Sequence, residues 1–461
     1  MGRRTAGWRA AVVGAVLGVL AGVPGFPVLA ASGSPSPTSA PDSGSPSTSP
    51  SSSATASSYA FAEGAPSVTG TVSTEDAGLL EPGTTYRSSL PSAGKVHYRL
   101  QLDGTSTVYV AATAVPPADA EVTATEGVRV SVQDADGHSC SAADTATIGS
   151  GRSPRPLTAW GARVLPSNRS LCQGAGTYYV VVERVLRTES SPDAWDLELS
   201  PVREPRLRQA GSTSAPEAWD SATPSPPAGA ATRLRGGAGF GSAAALEQGV
   251  WRDDLRPGQT LFYEVPVDWG QQLYATADLS SLGGGGTGGN GFVPGAVNLA
   301  LYNPARGLVD ATSISYNGSR KSGALAALPP VEYANRYAVS DRVNGMRFAG
   351  AYYLVVHLAA RMGEEYGDGP LGLTLRVRVK GEATAGPGYA GQSEPSGIFQ
   401  VGLPGREPGA VGGAAAGEGD GGGGGDAGMK LVAVGGIGAG TVVLVVLGVW
   451  TVVGRRRAAG V

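Results

Sequence analysis

The chain has 461 residues, which is enough for about two or three domains of ordinary size. Its 72 Gly, 33 Pro and charged fraction of 16% indicate that much of the chain forms turns and linkers. The net charge of -3 lacks the basic excess typical of nucleic-acid-binding proteins, so no nucleic-acid partner is expected. Three His and two Cys leave little material for a structural zinc site or a histidine-based catalytic triad.

Residues 1–30 have the pattern of a secretory signal peptide. Three arginines precede the apolar run 10–22, and small residues favour cleavage after Ala30. Pro24 and Pro27 interrupt the apolar run, which favours release over the alternative of an uncleaved N-terminal anchor. The sequence therefore predicts export of the chain that follows.

Residues 431–453 form a second apolar segment that contains no charged residue. As a helix rising 1.5 Å per residue, a segment of this length spans the roughly 30 Å hydrocarbon core of a bilayer. Three arginines follow it, so the positive-inside rule places the tail 454–461 in the cytoplasm. We expect a single-pass protein of the cell membrane with an extracellular N-terminal ectodomain. The glycines of this segment allow a homodimer through the transmembrane helix, although glycine is common in membrane helices anyway.

Low-complexity segments divide the ectodomain. The Ser- and Pro-rich segment 31–67 predicts a disordered stalk, whose glycosylation stays open. Residues 203–231 predict a linker between two better-patterned regions, and residues 383–430 predict a Gly-rich linker to the membrane. Arginine far outnumbers lysine, and with the Gly and Ala content this suggests a high-GC genome such as that of an actinobacterium.

The regions 68–202 and 232–382 share three sequence blocks in the same order. The pairs are GTTYRSSLPSAGKVHYRL (83–100) with QGVWRDDLRPGQTLFYEV (248–265), VRVSVQDADG (128–137) with VNLALYNPARG (297–307), and GTYYVVV (176–182) with GAYYLVV (350–356). Three matched blocks in one order predict a duplicated domain.

Each region has the apolar pattern of β-strands. Leu371, Leu373 and Leu375 alternate with polar or small residues, whereas YYVVV and YYLVV are continuous apolar runs typical of central strands covered on both faces. Gly, Pro and Asp turns separate the runs. The predicted fold class is an all-β ectodomain of two tandem antiparallel β-sandwich or jelly-roll domains, 68–202 and 232–382, plus one C-terminal transmembrane helix.

The blocks resemble the bacterial pre-peptidase C-terminal domain, a family of small β-sandwiches appended to secreted enzymes. The resemblance is carried by the aromatic opening strand, the DADG turn and the Gly-x-Tyr-Tyr strand. The blocks CQGAGTYY (172–179) and VPVDWGQQL (265–273) are similar to the rear portion of actinomycete secreted proteins that can carry a von Willebrand type A domain. That domain is absent here, and Leu282 interrupts the nearest match to its D-x-S-x-S metal motif, so the resemblance implies no metal-dependent adhesion.

Two pairs of residues remain as candidate sites, one of cysteines and one of aspartates. Cys140 and Cys172 are the only cysteines, and an even count in an exported domain favours a disulfide over two free thiols. Asp134 and Asp136 alternate before a glycine, as in a calcium loop, because calcium prefers oxygen ligands. Asp-Gly is also a standard hairpin turn, and the matched residues 303–307 lack carboxylates, so a turn is the favoured interpretation and no metal is assigned.

No catalytic residue and no cofactor are predicted. The sequence has no G-x-S-x-G nucleophile elbow and no Walker-type phosphate loop. Trp160 and Trp269 lie in turn-like contexts, where we expect exposure, and are candidates for stacking a ligand. Trp195 lies in a strand pattern and is expected to anchor the first core.

Together these patterns predict a non-enzymatic cell-surface protein with a binding or scaffold role. The expected partner is an envelope protein or a cell-wall glycan. The alternatives are a metal-dependent or hydrolase-type extracellular activity, and an accessory subunit of an envelope or secretion assembly.

Overall fold

The computed structural model of the protein describes residues 59–165, 171–186, 192–282 and 291–402. The predicted signal peptide 1–30, the stalk up to residue 58, the apolar segment 431–453 and the tail 454–461 lie outside these ranges. Within them, no helix has both the length and the apolar character required to cross a membrane.

The first sandwich contains nine strands within the described residues. They are β1 (Gly78–Leu79), β2 (Tyr86–Leu90), β3 (Lys95–Leu102), β4 (Thr107–Val115), β5 (Gly127–Asp134), β6 (Asp144–Thr147), β7 (Leu157–Arg163), β8 (Gly176–Val185) and β9 (Trp195–Glu204). One sheet has the order β1-β3-β8-β5-β6, and the facing sheet has the order β2-β9-β4-β7. All pairs are antiparallel except that of the short β1 with β3.

The second sandwich contains ten strands within the same ranges. They are β10 (Thr232–Arg233), β11 (Ala244–Ala245), β12 (Gly249–Leu255), β13 (Thr260–Val267), β14 (Gln272–Leu279), β15 (Val293–Tyr302), β16 (Leu308–Tyr316), β17 (Lys321–Ala324), β18 (Gly350–Leu358) and β19 (Leu371–Lys380). Its sheets have the orders β11-β13-β18-β15-β16 and β10-β12-β19-β14-β17. Two short helices, α1 (Asp341–Gly345) and α2 (Arg361–Tyr366), flank β18 in sequence.

The two sandwiches have the same topology. Each strand of the first is matched by the strand numbered ten higher in the second, with β10 added at one edge. The registers agree as well, because Tyr98 pairs with Val180 and the matched Tyr263 pairs with Leu354. The predicted duplication is therefore present in the fold, and the predicted β-sandwich class is confirmed.

Each sandwich encloses its own apolar core. Trp195, Leu197 and Leu199 alternate along β9 and are fully buried in the first core, as their spacing predicts. Leu371 and Leu373 do the same along β19 in the second. Burying one such side chain contributes roughly 1.5–3 kcal/mol, so these alternating positions select the inward face of each strand.

Two segments assigned to disordered connections pack against the sandwiches. Tyr59, within the predicted stalk 31–67, is buried against the second sandwich. Phe399, within the predicted linker 383–430, is only 1% exposed. The predicted boundaries differ from the fold here because isolated aromatic residues in a polar segment find a preformed apolar surface. In addition, β9 continues to Glu204, into the predicted linker 203–231.

Candidate functional site

The outer face of β9 carries two buried carboxylates. Since Trp195 and Leu197 point into the first core, period 2 directs Glu198 and Glu204 to the opposite face. Such a face is usually in water, but here it lies against the second sandwich, and both side chains are at most 1% exposed. A buried carboxylate requires a cation or several hydrogen bonds, and the carboxylates of Glu198 and Glu204 each have both.

Glu198 joins three parts of the chain. Its Oε1 accepts a hydrogen bond from Arg306 Nη1 of the second sandwich at 2.6 Å and one from the Tyr59 hydroxyl at 2.8 Å. Its Oε2 accepts the main-chain N–H of Ala62 at 2.8 Å. Burial raises the pKa of Tyr59, and the Glu198 carboxylate raises it further. The N-terminal segment and both sandwiches are thus linked at one carboxylate.

Glu204 forms a second junction at the end of β9. Arg336 Nη2 of the second sandwich donates to it at 2.5 Å, and the hydroxyls of Tyr389 and Tyr109 donate at 2.8 and 3.1 Å. Burial alone would lower the pKa of Arg336, but the Glu204 carboxylate raises it above its usual value. This cluster ties the C-terminal segment to both sandwiches.

Aromatic side chains fill the space beside these ion pairs. Trp160 stacks on Tyr109, with ring centroids 5.0 Å apart and planes inclined by 15°. Phe348 of the second sandwich meets Tyr109 edge-on at 5.2 Å and stacks with Phe399 at 4.5 Å. Aromatic pairs of this kind contribute about 0.5–1.5 kcal/mol beyond the area they bury. The sandwiches accordingly belong to one compact unit.

An open cleft of 290 Å³ lies between the two sandwiches. The first sandwich supplies Pro116, Pro117 and the Pro154-Arg155-Pro156 sequence, and the second supplies Thr260. The N-terminal segment adds Tyr59 and Phe61. The lining thus combines proline and aromatic side chains with the polar side chains of Arg155, Asp196 and Thr260, a mixture of apolar surface and placed polar groups that is usual in sites that bind a ligand.

Arg155 is the cation that lines this cleft. Its Nη2 donates to the carbonyls of Thr147 at 2.9 Å and Ile148 at 3.3 Å. Among the described residues, these carbonyls are its hydrogen-bond acceptors, and no carboxylate pairs with it. Burial lowers the pKa of Arg155 because the charged guanidinium is removed from water. A partly buried cation that pairs with no carboxylate among the described residues favours the approach of an anionic group.

His357 of β18 lies behind the cleft wall and connects the two sandwiches. Its Nδ1 is 2.9 Å from the Thr260 hydroxyl, and its Nε2 is 3.0 Å from the hydroxyl of Ser153 in the first sandwich. The Ser153 oxygen also accepts the main-chain N–H of Ala360 at 2.9 Å. Burial, and then the charge of Arg155, lower the pKa of His357 to about 3. The imidazole is therefore neutral at physiological pH.

The predicted disulfide is confirmed, since Cys140 and Cys172 are bonded. Asp134 is the half-buried last residue of β5, and Asp136 lies in the exposed turn that follows. One ligand atom from each of them and from His138 lie within 4.8 Å of one another. Asp134 Oδ1 already accepts the main-chain N–H groups of Asp136 at 3.1 Å and His138 at 2.8 Å. Those hydrogen bonds are the ones a hairpin turn makes, which favours the turn over a calcium site.

The two candidate stacking tryptophans are placed differently from the prediction. Trp269 is only 7% exposed and packs on the second core, so the expectation that it is exposed was wrong. Trp160 lies in the middle of β7, so its assignment to a turn was wrong, and it is partly buried between Tyr109 and Gly307 at the junction of the sandwiches. Both rings are covered because segments distant in sequence fold over them, which the local sequence does not reveal.

The charged residues of the junction were missed by sequence reasoning. Glu198 and Glu204 occupy the polar face of a strand, a pattern identical to that of a solvated face. Arg155 lies in the block PRPL, which shows no recognised binding motif. No local signal distinguishes these positions, because their environment is created by the second sandwich.

No protein-family profile and no curated protein matches the chain. Among solved structures, it is similar to the CUB1-EGF-CUB2 domain of human MASP-1/3, with 7% identity over 64% of this chain and 99% of that one, at a TM-score of 0.15. It is also similar to the CBM22-1-CBM22-2 tandem domain of Paenibacillus barcinonensis Xyn10C, with 10% identity, coverages of 65% and 92%, and a TM-score of 0.17. The ANXUR2 extracellular domain from Arabidopsis thaliana gives 8% identity, coverages of 66% and 85%, and a TM-score of 0.17. At these TM-scores the similarities assign no function.

Proposed function

We propose that the protein is a non-enzymatic cell-surface binding or scaffold protein that displays its two sandwiches outside the membrane. The observation that carries the proposal is the cleft between the sandwiches, whose walls come from both sandwiches and from the N-terminal segment. The buried pairs of Glu198 with Arg306 and of Glu204 with Arg336 hold these walls in one arrangement. A preformed site of this kind lowers the entropic cost of binding a partner.

The cellular setting of the proposal comes from the sequence. Export by residues 1–30 and anchoring by residues 431–453 would present the cleft to envelope proteins and cell-wall glycans. The disulfide between Cys140 and Cys172 is consistent with folding in an oxidising compartment. The resemblance to pre-peptidase C-terminal domains, which are also sandwiches of exported proteins, forms part of the same proposal.

Crosslinking in intact cells tests this function. The tagged full-length chain is crosslinked, recovered and searched by mass spectrometry for bound proteins and wall fragments. We expect a reproducible partner of one of these two classes, and we expect added protease to reach the sandwiches from outside the cell. A chain that ends at residue 430 is the matched control and should be released into the medium. Protection of the sandwiches from external protease, or capture of neither class, would contradict the proposal.

A further inference from the structure

Within the described part of the chain, the interdomain cleft places one partly buried cation beside proline and aromatic side chains. Arg155 lies between Pro154 and Pro156, and the two hydrogen bonds that the structure gives its guanidinium both leave from Nη2. Its Nε and Nη1 retain donor capacity, because a guanidinium has five N–H groups. Planar bidentate recognition of a carboxylate is the interaction that such a fork makes best.

The remaining polar groups of the cleft are mostly engaged within the protein. The Tyr59 hydroxyl is bonded to Glu198, and the Thr260 hydroxyl is bonded to His357. The four prolines of the lining offer no main-chain N–H groups. A glycan needs many donors and acceptors for its hydroxyls, whereas among the described side chains of this lining Arg155 and Asp196 are the charged groups that can meet a partner. The chemistry therefore favours a protein segment over a sugar.

The size of the cleft limits what it can hold. Its volume of 290 Å³ is near the lower end of ligand pockets, enough for one or two side chains rather than a folded partner. Phe61 and Val115 provide apolar contact, and Asp196 supplies an exposed carboxylate on the lining. The occupant must therefore present an apolar side chain next to a negative charge that avoids Asp196.

We propose that the cleft binds an extended protein segment in which an apolar side chain adjoins an acidic side chain, with Arg155 pairing with the carboxylate. This inference rests on the proposed function and names its partner class. The apolar side chain enters between the prolines and Phe61, and the carboxylate meets the free edge of the guanidinium. Specificity arises because an amide at the acidic position leaves Arg155 without a counter-ion.

Peptide binding by the full-length chain tests the inference. The probe is an array of short peptides with a central Leu-Glu or Phe-Asp pair in varied flanks, each matched by the same peptide with Gln or Asn at the acidic position. We expect some acidic peptides to bind at least about tenfold more tightly than their amides, as for a hydrogen-bonded ion pair. Equal binding of acid and amide, or no binding by any peptide, would overturn the inference.

Substitutions in the chain then locate the contact. Arg155→Gln should weaken the binding of the best acidic peptide about tenfold or more. Arg99→Gln, at an exposed arginine of β3, should leave the affinity for that peptide unchanged. Asp196→Asn should increase the affinity for the same peptide, because it removes a like charge from the lining. Such a gain cannot come from misfolding, because a misfolded protein would not gain affinity. The inference fails if Arg155→Gln binds like the unchanged chain while its thermal unfolding is also unchanged.

A final arm separates the two proposals. Soluble cell-wall fragments are added as competitors and, labelled, as direct probes. If fragments bind and peptides do not, the surface-binding function stands and the assignment of a protein segment is overturned. If peptides bind as described while crosslinking in cells captures nothing, the cleft chemistry is correct and the cellular function fails.

Discussion

Arg306 of the second sandwich donates from Nη1 to Oε1 of Glu198 in the first sandwich at 2.6 Å, and the two side chains are only 11% and 0% exposed. The Glu198 carboxylate has no access to bulk water, and the Arg306 side chain has little. Separating the sandwiches would expose both and would also release the bonds of Tyr59 and Ala62 to the same carboxylate. The ion pair therefore couples interdomain contact to the order of the N-terminal segment.

Removal of this cation should destabilise the folded unit strongly. Arg306→Leu leaves Glu198 buried without a cation, and we expect the free energy of unfolding to fall by about 3–5 kcal/mol. The matched control is Arg129→Leu, since Arg129 and Glu183 form an exposed pair at 3.7 Å that should contribute at most about 1 kcal/mol. Denaturant titration of both variants measures the difference. Equal losses in the two variants would show that the junction adds no special stability.

The stability of the protein should decline in mild acid because of His357. Its pKa is lowered to about 3 in the folded state, against about 6.5 when unfolded, so between these values the unfolded chain binds more protons. The contribution of His357 to the free energy of unfolding is fully present above about pH 6.5. It falls by up to about 1.4 kcal/mol per pH unit below that value and stops changing near pH 3. His357→Gln should flatten this slope. A slope that is the same in His357→Gln as in the unchanged chain would contradict this assignment.

A methyl group at Gly307 should disturb the contact between the sandwiches. A Cβ at this position would lie 2.7 Å from Trp160 Cε2, across the junction. Because both rings of the Trp160 and Tyr109 stack are packed, Gly307→Ala should cost about 1–3 kcal/mol and shift the tryptophan fluorescence. Gly369→Ala is the control, since a Cβ there meets nothing within 4 Å. If Gly307→Ala leaves the fluorescence spectrum and the free energy of unfolding unchanged, the junction accommodates a methyl group without cost.

Reduction of the disulfide should weaken the first sandwich. The Cys140–Cys172 bond closes a loop with a sequence separation of 32, and the chain-entropy account gives about 3–4 kcal/mol for a loop of that length. Thermal unfolding with and without reductant measures this difference. The double variant Cys140→Ala/Cys172→Ala should unfold at the lower temperature in both conditions. A reductant effect that persists in the double variant would assign it to something other than this bond.

The strands and the duplication were predictable because their signals are local or repeat along the chain. The alternation of Leu371 and Leu373 identifies a half-buried strand, and the matched Tyr98 and Tyr263 mark equivalent strands in the two sandwiches. The even cysteine count led to the correct disulfide for a similar reason, since it constrains the pairing without any knowledge of the fold.

The junction and the cleft were not predictable in the same way. Glu198 has the sequence pattern of a solvated position, and its burial depends on Arg306, which lies more than a hundred residues away. Trp269 shows the converse case, since a tryptophan in a turn is covered by a later segment near Gly386. Such environments come from tertiary contact, which neither composition nor periodicity records.

After its last strand, the chain does not run directly away from the sandwiches but packs against them again, which determines how the protein would carry a mechanical load. Beyond Lys380, the segment returns to the junction of the sandwiches, where the main chains of Arg203 and Glu394 exchange two hydrogen bonds and Phe399 packs on Phe348 of the second sandwich. Tension applied at residue 402 is therefore borne first by this returning segment and shared between both sandwiches. A pull must detach this segment before the load passes along the chain to the end of β19.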